Sequence, residues 1–390
     1  MYIDYTEEQK ALKAEIRQTM AELMTPALRE ELRDMEGGGP IYYETMKVLG
    51  ERGWLGLGWD EAYGGQGRTP IEEFIFFDEM HRSGFPIPLL TLNTVGPTLA
   101  KYGTDTQKAE LLPRILKGDL HFCIGYTEPS SGTDLASLKT AAVRDGDDYV
   151  INGQKIFISL ADFADYIWLA ARTDPDAAKH KGISMILVPM DAVGLQTTPI
   201  KNLGDANIHA VYLENVRVPV SNRVGPENGG WRMITTQLNH ERVALMMVGP
   251  LTRLSEETRD WAAAMPSGDG VLLDRPWVQR NLAEVEVGLE ALKLMNWKQA
   301  WNLGRDHLEM QEASGLKVFG SEFYVRAHRL LLEILGDAGV VKGDSPGAVL
   351  HGHVERHYRA TLVLTFGGGT NEIQRDIIAM AGLRMPRARR

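Results

Sequence analysis

The stretch Gly125-Tyr126-Thr127-Glu128-Pro129-Ser130-Ser131-Gly132-Thr133-Asp134, where helical patterning gives way to strand patterning, is dense in small and hydroxylated residues. Hydroxyls and backbone N–H groups of Thr127 and Thr133 can donate to carbonyl, ring-nitrogen or phosphate acceptors, and small residues let a flat ring approach closely. Turns use the same residues for conformational reasons, so the loop alone does not specify a ligand. His351, His353 and His357 raise the question of a metal, since the last two are four apart and would share a helix face. No His-Glu-x-x-His pattern or completing carboxylate accompanies them, and no metal is expected. His240 beside Glu241 invites a hydrolase reading, which no Gly-x-Ser-x-Gly elbow supports. Taken alone, Glu241 and Arg242 read as two solvated charges on a helix. Gly64 to Thr69 lacks the lysine of a phosphate loop and reads as a turn between helices.

The elements that must position these residues fall into three regions. From Thr6 a capping box with Gln9 opens a helix carrying Leu12, Ile16, Met20 and Leu23 on one face, and helical patterns recur to about residue 118. Short β-rich runs follow at Lys139 to Arg144, Tyr149 to Ile158, Tyr166 to Ala171, Ile183 to Val188 and Ala210 to Val218. Asp145-Gly146-Asp147 and Asn152-Gly153 read as turns between antiparallel strands. After Gly229-Gly230 the strands stop, and long helices are expected at Leu238 to Ala263, Trp277 to Leu303, Ala313 to Leu335 and Ile373 to Leu383. Helix, then sheet, then helix is an α+β plan that excludes a doubly wound nucleotide fold.

Composition narrows the function classes. A chain of 390 residues with 44% apolar content can bury one large core or two to three ordinary ones, and its net charge of -10 opposes phosphate-backbone binding, so no nucleic acid is expected. The basic ending from Arg384 to Arg390 reads as a solvated tail. A single cysteine, Cys123, the absence of a charged-then-apolar leader, and no stretch near the roughly 20 apolar residues of a membrane span together suggest a cytoplasmic protein with no membrane partner.

The loop at 125–134, the run Val150-Ile151-Asn152-Gly153-Gln154-Lys155-Ile156-Phe157-Ile158-Ser159, and the distant Phe366-Gly367-Gly368-Gly369-Thr370-Asn371-Glu372-Ile373-Gln374-Arg375 together resemble the acyl-CoA dehydrogenases. The resemblance spans nearly the whole chain, including Trp59 to Gly67 and Val216-Arg217-Val218-Pro219. It implies an N-terminal helical domain (1–118), a middle β domain (119–226) and a C-terminal four-helix bundle (227–390), with FAD held between the last two. The implied flavin contacts are Tyr126, Thr127 at the pyrimidine edge, Gly132, Thr133 near the dinucleotide or CoA arm, Phe157 and Ser159 along the isoalloxazine, and Thr370 and Glu372 near the adenosine half. The implied reaction is α,β-dehydrogenation of an acyl-CoA, with reoxidation by an electron-transfer flavoprotein-type acceptor.

Many family members carry the catalytic carboxylate just before the Gly-Thr of the C-terminal loop, where this chain has Gly368. A minority carry it on the first helix after the β domain. That position here is Glu241, the implied base, with Arg242 beside it and the Gly368 N–H available to the thioester carbonyl. After Arg259 the family's phenylalanine-glycine pair is replaced by Ala262 to Asp269, and its flavin-contacting turn reads Glu333-Ile334-Leu335-Gly336-Asp337-Ala338-Gly339. Losing these contacts resembles the heteromeric acyl-CoA dehydrogenases of actinobacterial steroid side-chain catabolism, in which two different subunits share a flavin in an α2β2 assembly. A bulky steroid side-chain acyl-CoA is then the expected substrate class; the competing readings are a non-catalytic scaffold subunit and an acyl-CoA oxidase.

Overall fold

The computed structural model describes residues 3–33, 37–244, 246–305, 307 and 309–386; over 238–244 the description is of the backbone. The far end of the basic tail, 387–390, lies outside the described residues. Six helices form the N-terminal unit: α1 (Glu7–Leu23), α2 (Pro26–Glu31), α3 (Pro40–Glu51), α4 (Pro70–Ser83), α5 (Gly96–Tyr102) and α6 (Asp105–Leu116). Threonine capping boxes start three of them, Thr6 with Gln9, Thr69 with Glu72 and Thr104 with Gln107. Each satisfies two otherwise orphaned N–H groups, and such a cap is worth about 1 kcal/mol. A π-helical segment at Leu90–Val95 precedes α5.

The chain then builds an eight-stranded sheet from β1 (Phe122–Gly125), β2 (Ala141–Asp145), β3 (Asp148–Ser159), β4 (Tyr166–Arg172), β5 (Ile183–Pro189), β6 (Leu195–Ile200), β7 (Ile208–Pro219) and β8 (Arg223–Val224). Its order is β6-β7-β3-β2-β4-β5-β8, with β1 laid parallel to β4. The central strands β4 and β5 are buried along nearly their whole length, as unbroken apolar runs covered on both faces must be. The expected hairpin turn at Asp145–Asp148 forms, with Gly146 at φ 65°. The turn expected at Asn152-Gly153 does not. Those residues lie inside β3, where the register against β7 shifts between Ile151 and Gly153. A glycine inside a strand pattern marked a bulge here.

The C-terminal unit contains α7 (Gly230–Ala244), α8 (Gly249–Ala264), a two-stranded hairpin of β9 (Pro266–Ser267) and β10 (Gly270–Val271), α9 (Pro276–Leu303), α10 (Met310–Leu335), α11 (His353–Thr361) and α12 (Asn371–Ile377). The single helix expected over Leu238 to Ala263 is thus two. Pro250, in the first turn of α8, has no N–H to continue a helix through it. The buried Asp78 of α4 supplies the cap from outside: its Oδ1 accepts the N–H of Val248 at 2.8 Å and of Gly249 at 2.7 Å. The helix expected over Ile373 to Leu383 widens at its end, passing from α12 into a π-helical turn at Ile378–Gly382.

Candidate active site

The loop after β1 is built around a buried ion pair. Glu128 and Ser131 exchange backbone hydrogen bonds, Glu128 N–H to Ser131 O at 2.9 Å and Ser131 N–H to Glu128 O at 3.1 Å, closing a tight turn. The Glu128 carboxylate accepts the N–H groups of Lys139 (2.6 Å) and Thr140 (2.8 Å) and, at 2.8 Å, the Lys155 ammonium. Lys155 also donates to the Tyr126 carbonyl at 3.1 Å, and its side chain is wholly buried in β3. Burial pushes the Lys155 ammonium down to about 8, against the pull of Glu128. Burial pushes the Glu128 carboxyl upward, but the Lys155 charge and the hydrogen bonds outweigh it and leave it below its ordinary value.

This pair fixes the loop against a bulge in β3. The register with β7 shifts again between Lys155 and Ile158, and Ile156 N–H donates to the Thr127 carbonyl at 2.9 Å. Phe157, at the bulge, has φ 61° and is 58% exposed. A large side chain held at positive φ is strained, and its exposure leaves apolar surface in water; such costs cluster at ligand sites. Among the described residues, the hydroxyls of Thr127, Thr133 and Ser159 have no hydrogen-bond partner, and Gly132 is exposed beside Thr127. The structure therefore brings Tyr126, Thr127, Gly132 and the Phe157–Ser159 stretch together.

Tyr126 connects this group to α7. Its hydroxyl hydrogen-bonds the Gln237 side chain, and Trp168 Nε1 of β4 donates to Tyr126 Oη at 3.2 Å and to Gln237 Oε1 at 3.3 Å. Gln237 is buried in α7, four residues before Glu241. Glu241 and Arg242 lie on the last turn of that helix, and their side chains are outside the described residues.

The C-terminal glycine loop is held separately. Gly368 and Gly369 adopt φ 66° and 94°, a conformation that glycine takes without steric cost. Lys317, fully buried in α10, donates to the Gly369 carbonyl at 2.7 Å and to Asn371 Oδ1 at 2.9 Å. Thr370 caps α12 by accepting the Ile373 N–H at 3.3 Å, while Glu372 is exposed. Gln374 is fully buried with neither side-chain polar atom partnered, and a Cβ built on Gly369 would stand 2.8 Å from its Nε2. No hydrogen bond or ion pair among the described residues joins Gly368, Thr370 or Glu372 to the Thr127–Phe157 group. The helix α7 packs against both β5 and α10 and bridges them.

Free hydroxyls, an outward aromatic and an orphaned buried amide suit a ligand with a flat ring and many acceptor atoms. The residues that sequence reasoning missed are those beneath the loops: Glu128, Lys155, Trp168, Gln237, Lys317 and Asn371. Lys155 carried at most a weak signal, a lysine directly before the apolar Ile156-Phe157-Ile158 inside an expected strand.

Three family models match the chain: acyl-CoA dehydrogenase N-terminal domain over 6–119, middle domain over 123–216 and C-terminal domain over 228–383. The chain is 51% identical over 400 residues to acyl-CoA dehydrogenase FadE26 of Mycobacterium tuberculosis, covering all of both chains. Among solved structures, a chain of the ChsE4-ChsE5 complex from Mycobacterium tuberculosis superposes with TM-score 0.93 at 52% identity, again over all of both chains. A chain of the Tcur3481-Tcur3483 steroid ACAD gives TM-score 0.94 at 49% identity over the same full coverage. No described helix is long and apolar enough to cross a membrane. With its helix–sheet–helix order and these full-length matches, the chain belongs to the acyl-CoA dehydrogenase family of oxidoreductases.

Proposed function

We propose that the chain is the base-bearing subunit of a heteromeric, FAD-dependent dehydrogenase acting on bulky steroid side-chain acyl-CoA thioesters. FAD, when bound, supplies the acceptor for the hydride from the substrate β-carbon. Tyr126, Thr127, Gly132, Thr133, Phe157 and Ser159 would hold it from the β unit, and Thr370 and Glu372 from the start of α12. Glu241 takes the α-proton, Arg242 stands beside it, and the Gly368 N–H donates to the thioester carbonyl as negative charge develops there.

The observation that carries this reading is the anchoring of Gln237 by Tyr126 and Trp168. It ties the helix bearing Glu241 to the loop assigned to the flavin, while Gly368 offers no side chain that could serve as base. The heteromer reading is supported by similarity to chains of the ChsE4-ChsE5 complex and the Tcur3481-Tcur3483 steroid ACAD, and by acidic residues in the turn at Glu333 to Gly339. Negative charge there opposes a second dinucleotide contact of the homotetrameric kind. Division at 118/119 and 226/227 separates the three units, and an electron-transfer flavoprotein-type acceptor completes the cycle.

Flavin stoichiometry tests the assembly. Expressed alone, the chain should retain well under one FAD per chain, and a matching second subunit should restore binding. One tightly held FAD per chain in a pure homotetramer overturns the heteromer. In stopped-flow bleaching of the assembled enzyme, sterol side-chain thioesters should outpace butyryl-CoA; the reverse order removes the steroid assignment.

A further inference from the structure

A cleft of about 490 Å³ opens where α1, α2, α4 and α8 meet the segment around His351 and His353. It shares no residue with the proposed flavin and thioester site. Four guanidinium groups reach it from four different helices: Arg17 from α1, Arg29 from α2, Arg82 from α4 and Arg253 from α8. Such convergence is costly unless each charge has a partner.

The partners do not suffice. Arg17 grips Glu79 with two nitrogens, at 2.5 and 3.0 Å, and Lys13 adds a third contact at 3.2 Å, so that carboxylate already faces two cations. Arg82 reaches Glu256 through one terminal nitrogen at 2.5 Å and leaves the other buried without an acceptor. Arg253 stands 3.6 Å from Glu257, beyond hydrogen-bond length, with its Nε buried and unpartnered. The same Glu257 is 3.9 Å from His353, whose Nδ1 is likewise unpartnered. Arg29 spends its Nε on the Met24 carbonyl at 3.1 Å, and no carboxylate among the described residues pairs with it. Around the cleft, then, Lys13 and the four arginines face Glu79, Glu256, Glu257 and, behind Glu79, the buried Asp78, which still leaves the cations in excess.

Arg253 is held below its ordinary value by burial first, with Arg29 and Arg82 repelling it against the attraction of Glu257. The three groups are thus close enough to feel one another. Room for this is made at Gly84, the left-handed end of α4: a Cβ there would lie 2.8 Å from Arg253 Nη1. We propose that this cleft binds a phosphate-bearing anion, held between Arg29, Arg82 and Arg253. Planar guanidinium forks match phosphate oxygens in pairs, and a multivalent oxyanion supplies the countercharge that three helices leave missing. The volume lies within the range of small-molecule sites, so a phosphate monoester is admitted as well as the free ion.

The test is a titration of the purified full chain with inorganic phosphate and, separately, glycerol 3-phosphate, against sodium chloride matched for ionic strength. Binding to the native state raises the unfolding midpoint along a saturation curve, and chloride should not reproduce it. Arg253→Gln and Arg82→Gln should each weaken the apparent affinity at least tenfold, and ring signals of His351 and His353 should move with phosphate in the unaltered chain. The histidine signals decide the matter even where a variant folds poorly. Tighter binding of the monoester identifies an organic phosphate as the ligand, and equal binding identifies the free ion. A midpoint that phosphate does not raise, histidine signals that stay fixed, or an unchanged response in folded Arg253→Gln overturns the proposal.

Discussion

Lys155 Nζ lies 2.8 Å from Glu128 Oε1 with the lysine side chain wholly buried, so a full ion pair supports the loop assigned to the flavin from beneath. Removing one member of such a pair costs far more than the pair contributes, because the other charge stays buried and uncompensated. Lys155→Met should lower stability by about 3–5 kcal/mol in denaturant unfolding and weaken flavin retention in the assembled enzyme. The double variant Lys155→Met, Glu128→Leu should recover much of the stability. If Lys155→Met alone is neutral, the pair does not organise the loop.

Asp78 caps α8 from another helix, and its carboxyl is pushed up to about 6, by burial first and then by Glu79, against the pull of the Val248 and Gly249 N–H groups and Lys13. A folded-state value above the ordinary 3.8 means that the native state binds the extra proton between pH 3.8 and about 6. Its stabilising contribution is full below that window and is lost as pH rises through it, amounting to roughly 3 kcal/mol. His328 and His357, pushed down to about 4 and about 3 by burial, act in the opposite sense. The measurement is therefore a difference: Asp78→Asn keeps an acceptor for both N–H groups and should gain relative stability over the unaltered chain as pH rises from 4 to 7. Asp78→Ala should lose about 1–3 kcal/mol, with two buried donors left unpaired. A pH-independent difference for Asp78→Asn contradicts the assignment.

Phe157 combines φ 61° with 58% exposure, so the fold retains it at a cost. Phe157→Gly relieves the backbone strain, and the apo chain should hold its stability or gain up to about 1 kcal/mol. Flavin affinity of the assembled enzyme should fall, read from retained FAD after gel filtration. A stability loss with unchanged flavin would mark the residue as structural.

The order of the three units was legible because hydrophobic period changes from helical to alternating and back, and the loops proposed here for the ligand stand out because hydroxyls and glycines concentrate at Thr127, Thr133 and Gly367 to Gly369. What supports those loops was not legible. Gly249-Pro250 does mark the start of α8, but the carboxylate that caps it stands 170 residues before Val248, and nothing near the break announces that partner. Likewise Gln237 reads as an ordinary polar position on a helix until Tyr126 and Trp168 fold against it from the sheet. Tertiary partners decide which polar residues are buried, and periodicity carries no record of them.

Glu241→Gln is the sharpest test of the reaction. The sequence places a glycine where many relatives have their base and a glutamate on α7, one turn after the buried Gln237 anchor. Glutamine preserves size and hydrogen bonding but cannot accept the α-proton, so FAD and thioester should bind as before. Single-turnover flavin reduction, measured anaerobically in the assembled enzyme at saturating substrate, should slow by roughly 10²- to 10⁴-fold, the usual worth of a positioned general base. Gln237→Leu separates positioning from chemistry: it leaves Glu241 in place but removes the acceptor shared by Tyr126 and Trp168, so reduction should slow less than in Glu241→Gln. Its pH profile should remain that of the unaltered enzyme, because the base is still present. Near-normal bleaching by Glu241→Gln would place the base elsewhere, whereas a large loss there with a smaller one in Gln237→Leu is the pattern expected of a base carried on an anchored helix.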